Sequence, residues 1–513
     1  KFQIIRYLLI SVTLIFIAAA LKLYRQFEKN TLDMLSFIAN GLRAEISNIS
    51  RKDWYLFSIV FVFATLIKAY YFFTQPITND EAFTFLSYVN QGVAASASYY
   101  NLTNNHILHS LLCNVFNLLP VSPVYSLRIA SFLTGSVTLF IVFIFFRKLF
   151  DIKAVFMAFV FFAFAPASIQ YGFLARGYSL ILLFTTISTF ALFELIKYNE
   201  NKKKLWFIFI ISSALGFYSI PVYLYVFASH ITFYFIYSLT ASKFLLIKNI
   251  KELFIASLIV GLVVSILYSP VMLVSGFDSL VGNDVIKSLS TNEFMFVFVE
   301  FIPDYIQWVF GYNMFLISVA FVVIPIGLIY SYKKRRDLFL IIISFLIVPI
   351  ILIFIQRITL YNRLFVFVVL FMGMVVGLFT ELILKKFEVK KILSDIFLYS
   401  SATILALLLL VGLNNQCKQQ KLKNNMAYNF ADKVENNSTI FSTNEVRYYT
   451  FLKFKAMFLD KKEIELFRED FDKNFAYDYI SETKEEGENF VAQSKYNYSI
   501  AYEDEFIRLY KRE

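Results

Sequence analysis

Apolar runs constrain this chain more than any other feature. From residue 54 to residue 413 they follow one another with only short polar turns between them, most of them long enough to cross a bilayer as a helix. With 58% hydrophobic residues and 17% charged ones, the chain cannot cover that surface with polar side chains in water. The class that follows is an α-helical polytopic membrane protein.

Charge sets the direction of each crossing, because Lys and Arg collect in cytoplasmic turns. Spans are expected over residues 54–75, 125–146, 154–168, 178–196, 205–219, 221–240, 253–275, 313–331, 338–355, 364–383 and 393–413. The turns on one side hold Arg147, Lys148 and Lys153, then Lys197 with Lys202 to Lys204, then Lys243, Lys248 and Lys251, then Lys333 to Arg336, then Lys385, Lys386, Lys390 and Lys391. On the other side the 276–311 loop sets Asp278, Asp284, Glu293, Glu300 and Asp304 against Lys287 alone. The net charge of +11 is thus accounted for by topology, and no nucleic-acid partner is implied.

Three domains follow. Residues 1–53 combine an anchor helix over 4–21, the twelfth span, with a cytoplasmic interfacial helix marked by Leu32, Leu35, Ile38, Leu42, Ile46 and Ile49. Residues 54–413 form the transmembrane domain. Residues 414–513 carry more charge and no spanning run; a helix over 444–459 and a hairpin pairing 496–502 with 506–510 make a small α/β domain outside the membrane. Cys113 and Cys417 both fall on the outer side, too few for a disulfide framework, and whether they are bonded stays open.

The polar groups that need a reason collect at the outer ends of the spans. Pro76-Ile77-Thr78-Asn79-Asp80-Glu81 follows the 54–75 run, and two adjacent carboxylates there must lie at the interface or in a cavity. Thr78-x-x-Glu81 is a capping box, which accounts for Glu81 on structural grounds as well as a catalytic partnership would. It does not account for Asp80. An ionised carboxylate in the first helical turn suits a base that takes a proton from a hydroxyl.

Next comes Asn104-Asn105-His106-Ile107-Leu108-His109. His106 reads as a hydrogen-bond donor to a phosphate or as a loop anchor, and His109 and His230 as satisfied helix residues. His106 and His109 share a helix face, so a divalent metal is open, but no acidic residue occurs between Glu81 and Asp151, its site would have to be built from Asp80, Glu81 and the imidazoles, and ligand spacing does not support it. Arg128, Arg176 and Arg363 each fall at the outer end of a span, Arg176 just before Tyr178 and Arg363 just after Tyr361 and Asn362. Arginines snorkel at interfaces, yet guanidinium forks converging from different helices also bind phosphate oxygens. Lys68, near the outer end of its span, either snorkels or points inward.

In order along the chain, Thr78-Asn79-Asp80-Glu81-Ala82, Asn104-Asn105-His106-Ile107-Leu108, Arg128-Ile129-Ala130-Ser131-Phe132-Leu133-x-Gly135, Ala175-Arg176-Gly177-Tyr178-Ser179-Leu180 and Tyr361-Asn362-Arg363 resemble the GT-C membrane glycosyltransferases. The likeness covers residues 54–385 and is greatest to protein O-mannosyltransferases and lipid A aminoarabinose transferases. The resemblance implies a GT-C-like bundle and inverting transfer of a sugar from a polyprenyl phosphate to a hydroxyl acceptor. It matches Asp80 to the base, Glu81 to its acidic partner, Arg176 and Arg363 to lipid-phosphate contacts, and His106 to a phosphate-facing Lys or His. Tyr361, Asn105, Arg128 and Tyr178 complete the candidate site. Two departures stand out: Ile107-Leu108 replaces a Pro-Pro, and Asn105 stands where some relatives carry an acid near a metal. The Trp-Trp-Asp signature of oligosaccharyltransferases is absent.

The function expected is therefore a glycosyltransferase at the outer face of the bacterial cytoplasmic membrane, acting on a lipid, glycan or protein hydroxyl. A lipid-linked-sugar flippase or transporter is the rival from another class. Such proteins place ionisable groups near the bilayer midplane, whereas here the span centres are nearly free of charge. A catalytically inactive scaffold of the same build is the third reading, and Asp80 with both arginines speaks against it.

Overall fold

Eight of the described helices are long and apolar enough to cross a membrane: Arg51–Thr74, Pro123–Leu149, Tyr178–Lys197, Leu245–Leu267, Met314–Lys334, Arg336–Gln356, Val368–Lys386 and Asp395–Lys433. They belong to a computed structural model that describes residues 7, 10–16, 24–100, 102–197, 201–240, 243–281, 288–358, 360–386, 391–442, 445–468, 470–484 and 489–513. The anchor expected over 4–21 lies largely outside the described residues. At three further expected crossings stand Ile152–Phe164, Lys202–Ser219 and Tyr223–Ser238, of 13, 18 and 16 residues. Each packs along a longer span: the first on Val368–Lys386, the second on Tyr178–Lys197, the third on Arg336–Gln356.

The span expected over 253–275 begins earlier, as Lys243–Leu267, and stops where Pro270 opens a separate short helix, Ser269–Val274. The 276–311 segment, expected as a loop, is largely a helix, Thr291–Val309, started by a capping box between Ser290 and Glu293. Its aromatic face packs inward. Phe294 and Phe298 meet Phe354, and Phe301 and Tyr305 meet Phe365.

The chain divides into two compact units, Lys1–Phe73 with Val93–Asn414, and Thr74–Gly92 with Asn415–Glu513. In the first, the basic turns are paired. Arg147 bonds Asp53 at 3.0 Å, Lys148 bridges Glu45 and Glu194 at 2.9 and 3.0 Å, and Glu381 takes Lys385 and Arg335. Backbones also approach closely. A Cβ on Gly412 would lie 2.3 Å from the carbonyl oxygen of Gly311, so only glycine fits there.

The second unit carries a five-stranded sheet in the order β2-β1-β3-β5-β4. Its strands are β1 (Ser438–Phe441), β2 (Ile464–Phe467), β3 (Tyr479–Thr483), β4 (Tyr498–Glu503) and β5 (Ile507–Arg512). β1 is parallel to β2 and β3, while β3-β5-β4 is antiparallel, and the expected hairpin is β4–β5, with a register shift between Ile500 and Tyr502. Between β1 and β2 runs Val446–Phe451, which widens into a π-helix over Leu452–Leu459. Phe441, Tyr477 and Ile480 form the core under one face of the sheet, with Phe467, Phe471 and Phe490 against them.

Candidate functional site

In the first unit the site is built around His106, the residue ahead of the Ile107–Phe116 helix. Its Nδ1 accepts the backbone N–H of Gly177 at 2.8 Å. A neutral imidazole has one lone-pair nitrogen, so this bond assigns the proton to Nε2. Nε2 lies 3.3 Å from Nη2 of Arg176. Guanidinium nitrogens only donate, so two N–H donors face each other, an arrangement that one anionic oxygen satisfies by accepting from both. Burial, and then the charges of Arg176, His109 and Arg363, hold the imidazole well below the usual histidine range. It is neutral at pH 7.

Arg176 is held from three directions. Its Nη1 donates to Oδ1 of Asn104, its carbonyl accepts from Ser131 Oγ at 3.2 Å, and its own N–H donates to Leu174 O at 2.7 Å. Ser131 in turn pairs with His109 Nε2 at 2.9 Å. Tyr178 stands edge-on to His106 with centroids 5.1 Å apart and lies 4.6 Å from Tyr171, which continues to Trp308 at 6.3 Å. Arg363 sits in the turn Asn362–Phe365 with its guanidinium 4.8 Å from the ring of Tyr361, a half-exposed side chain. Asn362 donates to Asp304 at 2.5 Å. His106 is thus in direct contact with Arg176 and Tyr178, and the charge of Arg363 acts on it.

Two other candidates also bond backbone carbonyls. Asn105 is fully buried and its amide is engaged at both ends: Nδ2 donates to the carbonyls of Ser96 and Tyr99 at 3.0 and 2.8 Å, and Oδ1 accepts from Ser110 at 2.8 Å. Arg128, also fully buried, donates to the carbonyl of Phe72 at 3.0 Å, in the last turn of Arg51–Thr74, where carbonyls lack a helical partner. Asn104 and Gly177 were not singled out from sequence. A Cβ on Gly177 would come within 3.0 Å of His106 Cβ. The signal for it was a glycine directly after a candidate arginine.

Asp80 and Glu81 belong to the second unit. The capping box is formed in full: Glu81 N donates to Thr78 Oγ1 at 3.3 Å, and Glu81 Oε2 accepts from Thr78 N at 2.8 Å. Glu81 is fully buried, whereas Asp80 is half-buried at the second residue of Asn79–Thr84. Both cysteines are buried thiols.

Back in the first unit, an apolar cavity of about 470 Å³ is lined by Met157, Phe161, Phe310, Val319, Met372 and Leu405 among others. Among the described residues no group of three or more His, Cys, Asp or Glu side chains could hold a metal ion. Arg176, the Asn104 amide it bonds and the neutral His106 ring, with the charge of Arg363 acting on that ring, offer donors and positive charge that suit an anion.

No family model matches the chain, and no curated protein matches it by sequence. In structure it is similar to ArnT from Cupriavidus metallidurans in the apo state, with a TM-score of 0.59 at 10% identity over 88% of this chain and 97% of that one. Bound to undecaprenyl phosphate, the same protein gives 0.59 at 8% identity over 90% and 98%. The apo oligosaccharyltransferase of Archaeoglobus fulgidus gives 0.52 at 14% identity over 85% and 70%. These likenesses are of fold. The chain is a multi-pass membrane protein with the GT-C fold.

Proposed function

We propose that this GT-C-fold membrane protein is an inverting glycosyltransferase that moves a sugar from a polyprenyl phosphate to a hydroxyl acceptor at the outer face of the bacterial cytoplasmic membrane. The observation that carries the reading is the pair of facing donors, His106 Nε2–H and Arg176 Nη2, with the Arg363 charge in reach. Such a set holds a phosphate oxygen and gains strength as negative charge grows on it. The apolar cavity of about 470 Å³ suits part of a prenyl chain. The fold supports the same reading, since ArnT has been seen bound to undecaprenyl phosphate.

In this reaction the acceptor oxygen attacks the anomeric carbon from the face opposite the phosphate. The carbon–oxygen bond to phosphate breaks, the bond to the acceptor forms, and Asp80 takes the acceptor's proton. Arg176, His106 and Arg363 stabilise the departing polyprenyl phosphate, with Tyr178 and Tyr361 shaping the sides of its site. Glu81 fixes the turn that carries Asp80, and Asn105 and Arg128 keep the surrounding loops in place. Phosphate is a good leaving group, so positioning and charge neutralisation provide most of the acceleration.

The test is transfer of radiolabelled sugar from a panel of polyprenyl-phosphate sugars in membranes. Asp80→Asn abolishes transfer while leaving donor binding intact. Arg176→Ala and Arg176→Lys each lower the rate by about 100-fold or more, because lysine keeps the charge but loses the fork. Equal donor consumption by wild type and Asp80→Asn would remove Asp80 from the chemistry.

A further inference from the structure

We infer that the C-terminal segment is a working part of the active centre: Phe454 and Phe458 hold Asp80 in its catalytic position by clamping Phe85. The inference rests on the reading of Asp80 as the base.

Covalently, the Asp80 loop lies between two helices of the transmembrane unit. In space Thr74–Gly92 forms one compact unit with residues 415–513. The loop is rigid at its start, where the capping box fixes Thr78 and Glu81. Directly after it, Phe85–Val89 forms a π-helical turn closed by Asn90 N donating to Phe85 O at 2.8 Å. Phe85, Tyr88 and Val89 in this turn are all buried. π-helical turns are rare and less favourable than α-helix, so they persist where packing imposes them.

The element packed on this turn is the other π-helix described, Leu452–Leu459, closed by Asp460 N donating to Lys455 O at 2.9 Å. The Phe85 ring lies edge-on at 4.7 Å from Phe458 and 5.7 Å from Phe454, and these two, four residues apart, stack on each other. The Val446–Phe451 helix adds contacts to Asn79–Thr84 itself. Asp80 and Phe85, five residues apart on a helical path, point about 140° away from each other. The clamp therefore grips one side of the turn and leaves the carboxylate on another. Phe454 and Phe458 touch no reacting atom and are positioning residues.

The experiment compares wild type, Phe458→Ala, Phe458→Leu and the surface control Ile500→Ala, all as full-length protein. Two readouts are taken: hydrogen exchange of the amides of residues 79–90, and steady-state transfer with donor affinity measured separately. In Phe458→Ala the amides of 79–90 exchange faster while those of Tyr178–Lys197 do not change. Its kcat falls by about 100-fold with donor affinity unaltered, as expected when a reacting group is displaced by about 1 Å. Phe458→Leu recovers most of both effects, and Ile500→Ala matches wild type. Unchanged exchange at 79–90 in Phe458→Ala overturns the inference, and so does faster exchange with unchanged kcat. If Phe458→Ala does not fold, Phe458→Leu decides: intermediate exchange and kcat support the clamp, and wild-type values of both overturn it. Absence of transfer by wild type with every donor refutes the glycosyltransferase reading, and the catalytic role inferred here falls with it. The exchange readout then still decides whether the clamp holds the loop.

Discussion

His106 owes the position of its single proton to one backbone N–H. With Gly177 fixing Nδ1 as acceptor, the ring offers Nε2–H to whatever lies beside Arg176, and it stays neutral because burial and neighbouring cations oppose its charging. Stability follows from that. Below the ordinary histidine pKa of about 6.5 the unfolded chain takes up a proton that the folded chain does not, so folding weakens as the pH falls, by at most ~1.4 kcal/mol per pH unit. Between pH 7.5 and pH 5.5 the thermal midpoint of wild type should therefore drop more than that of His106→Gln; equal drops would mean that the ring charges freely in the folded state. Lys68 is a different case. It is 2% exposed inside Arg51–Thr74, its Nζ reaching Ser136 Oγ at 3.2 Å and its stem passing over Gly172. Of the two orientations open from sequence, it points inward. A buried amine whose described partners are one hydroxyl and the face of Phe132 at 5.7 Å contributes little to stability, so Lys68→Met should leave the midpoint unchanged or raise it by about 1 kcal/mol equivalent. A loss of several degrees would show that the amine has a partner worth more than a serine. Residue-level candidates were legible where type and place coincide, as at Arg176 and His106. Bonds to the backbone were not legible: nothing in the sequence around Asn105 or Arg128 shows that they donate to the carbonyls of Ser96, Tyr99 and Phe72.

Helices were legible where charge bounded them and less so where it did not. Arg336–Gln356 sits between basic and polar turns and appears where expected. Thr291–Val309 was hidden, because its acids mark the segment as outside the membrane and say nothing of its conformation. The Ser290-x-x-Glu293 box and the aromatic series Phe294, Phe298, Phe301, Tyr305 and Trp308 are the signals that would have found it. π-helices escape such patterns altogether. The expected 444–459 helix is real over Val446–Phe451 but widens beyond it, where tertiary packing on Phe454 and Phe458 outweighs local preference. Glycines give the test at this scale. Gly412→Ala forces a methyl to within 2.3 Å of Gly311 O and should destabilise the protein by about 1–3 kcal/mol. Gly261→Ala, in the Lys243–Leu267 helix with nothing within 4 Å of the added carbon, should be neutral or stabilising by up to about 1 kcal/mol. Thermal midpoints of the purified variants decide, and equal effects would mean that the close approach is not obligatory.

For the whole molecule, basic turns made the crossing order readable without any contact information. The orientation that follows has a direct check. Among single thiols introduced into a background without native cysteines, Ile500→Cys should react with an impermeant maleimide in intact cells, and Lys333→Cys only after permeabilisation; the reverse pattern would invert the topology. The grouping of the chain was less legible, because composition changes only once, near residue 414, whereas packing also assigns Thr74–Gly92 to the later segment. Hydropathy sees neighbours in sequence and is blind to a short loop that clusters with a segment more than 300 residues further on. The same grouping governs recombination. A chimera that exchanges residues 415–513 with those of another protein of this fold carries foreign side chains against a native 79–90 turn, and its junctions are wrong even when its sheet folds. Grafting both segments together keeps every contact of the Phe85 clamp within one parent, so the two-piece graft should express and fold where the one-piece graft does not. The unit of inheritance in this protein is thus split in sequence, with one part 19 residues long.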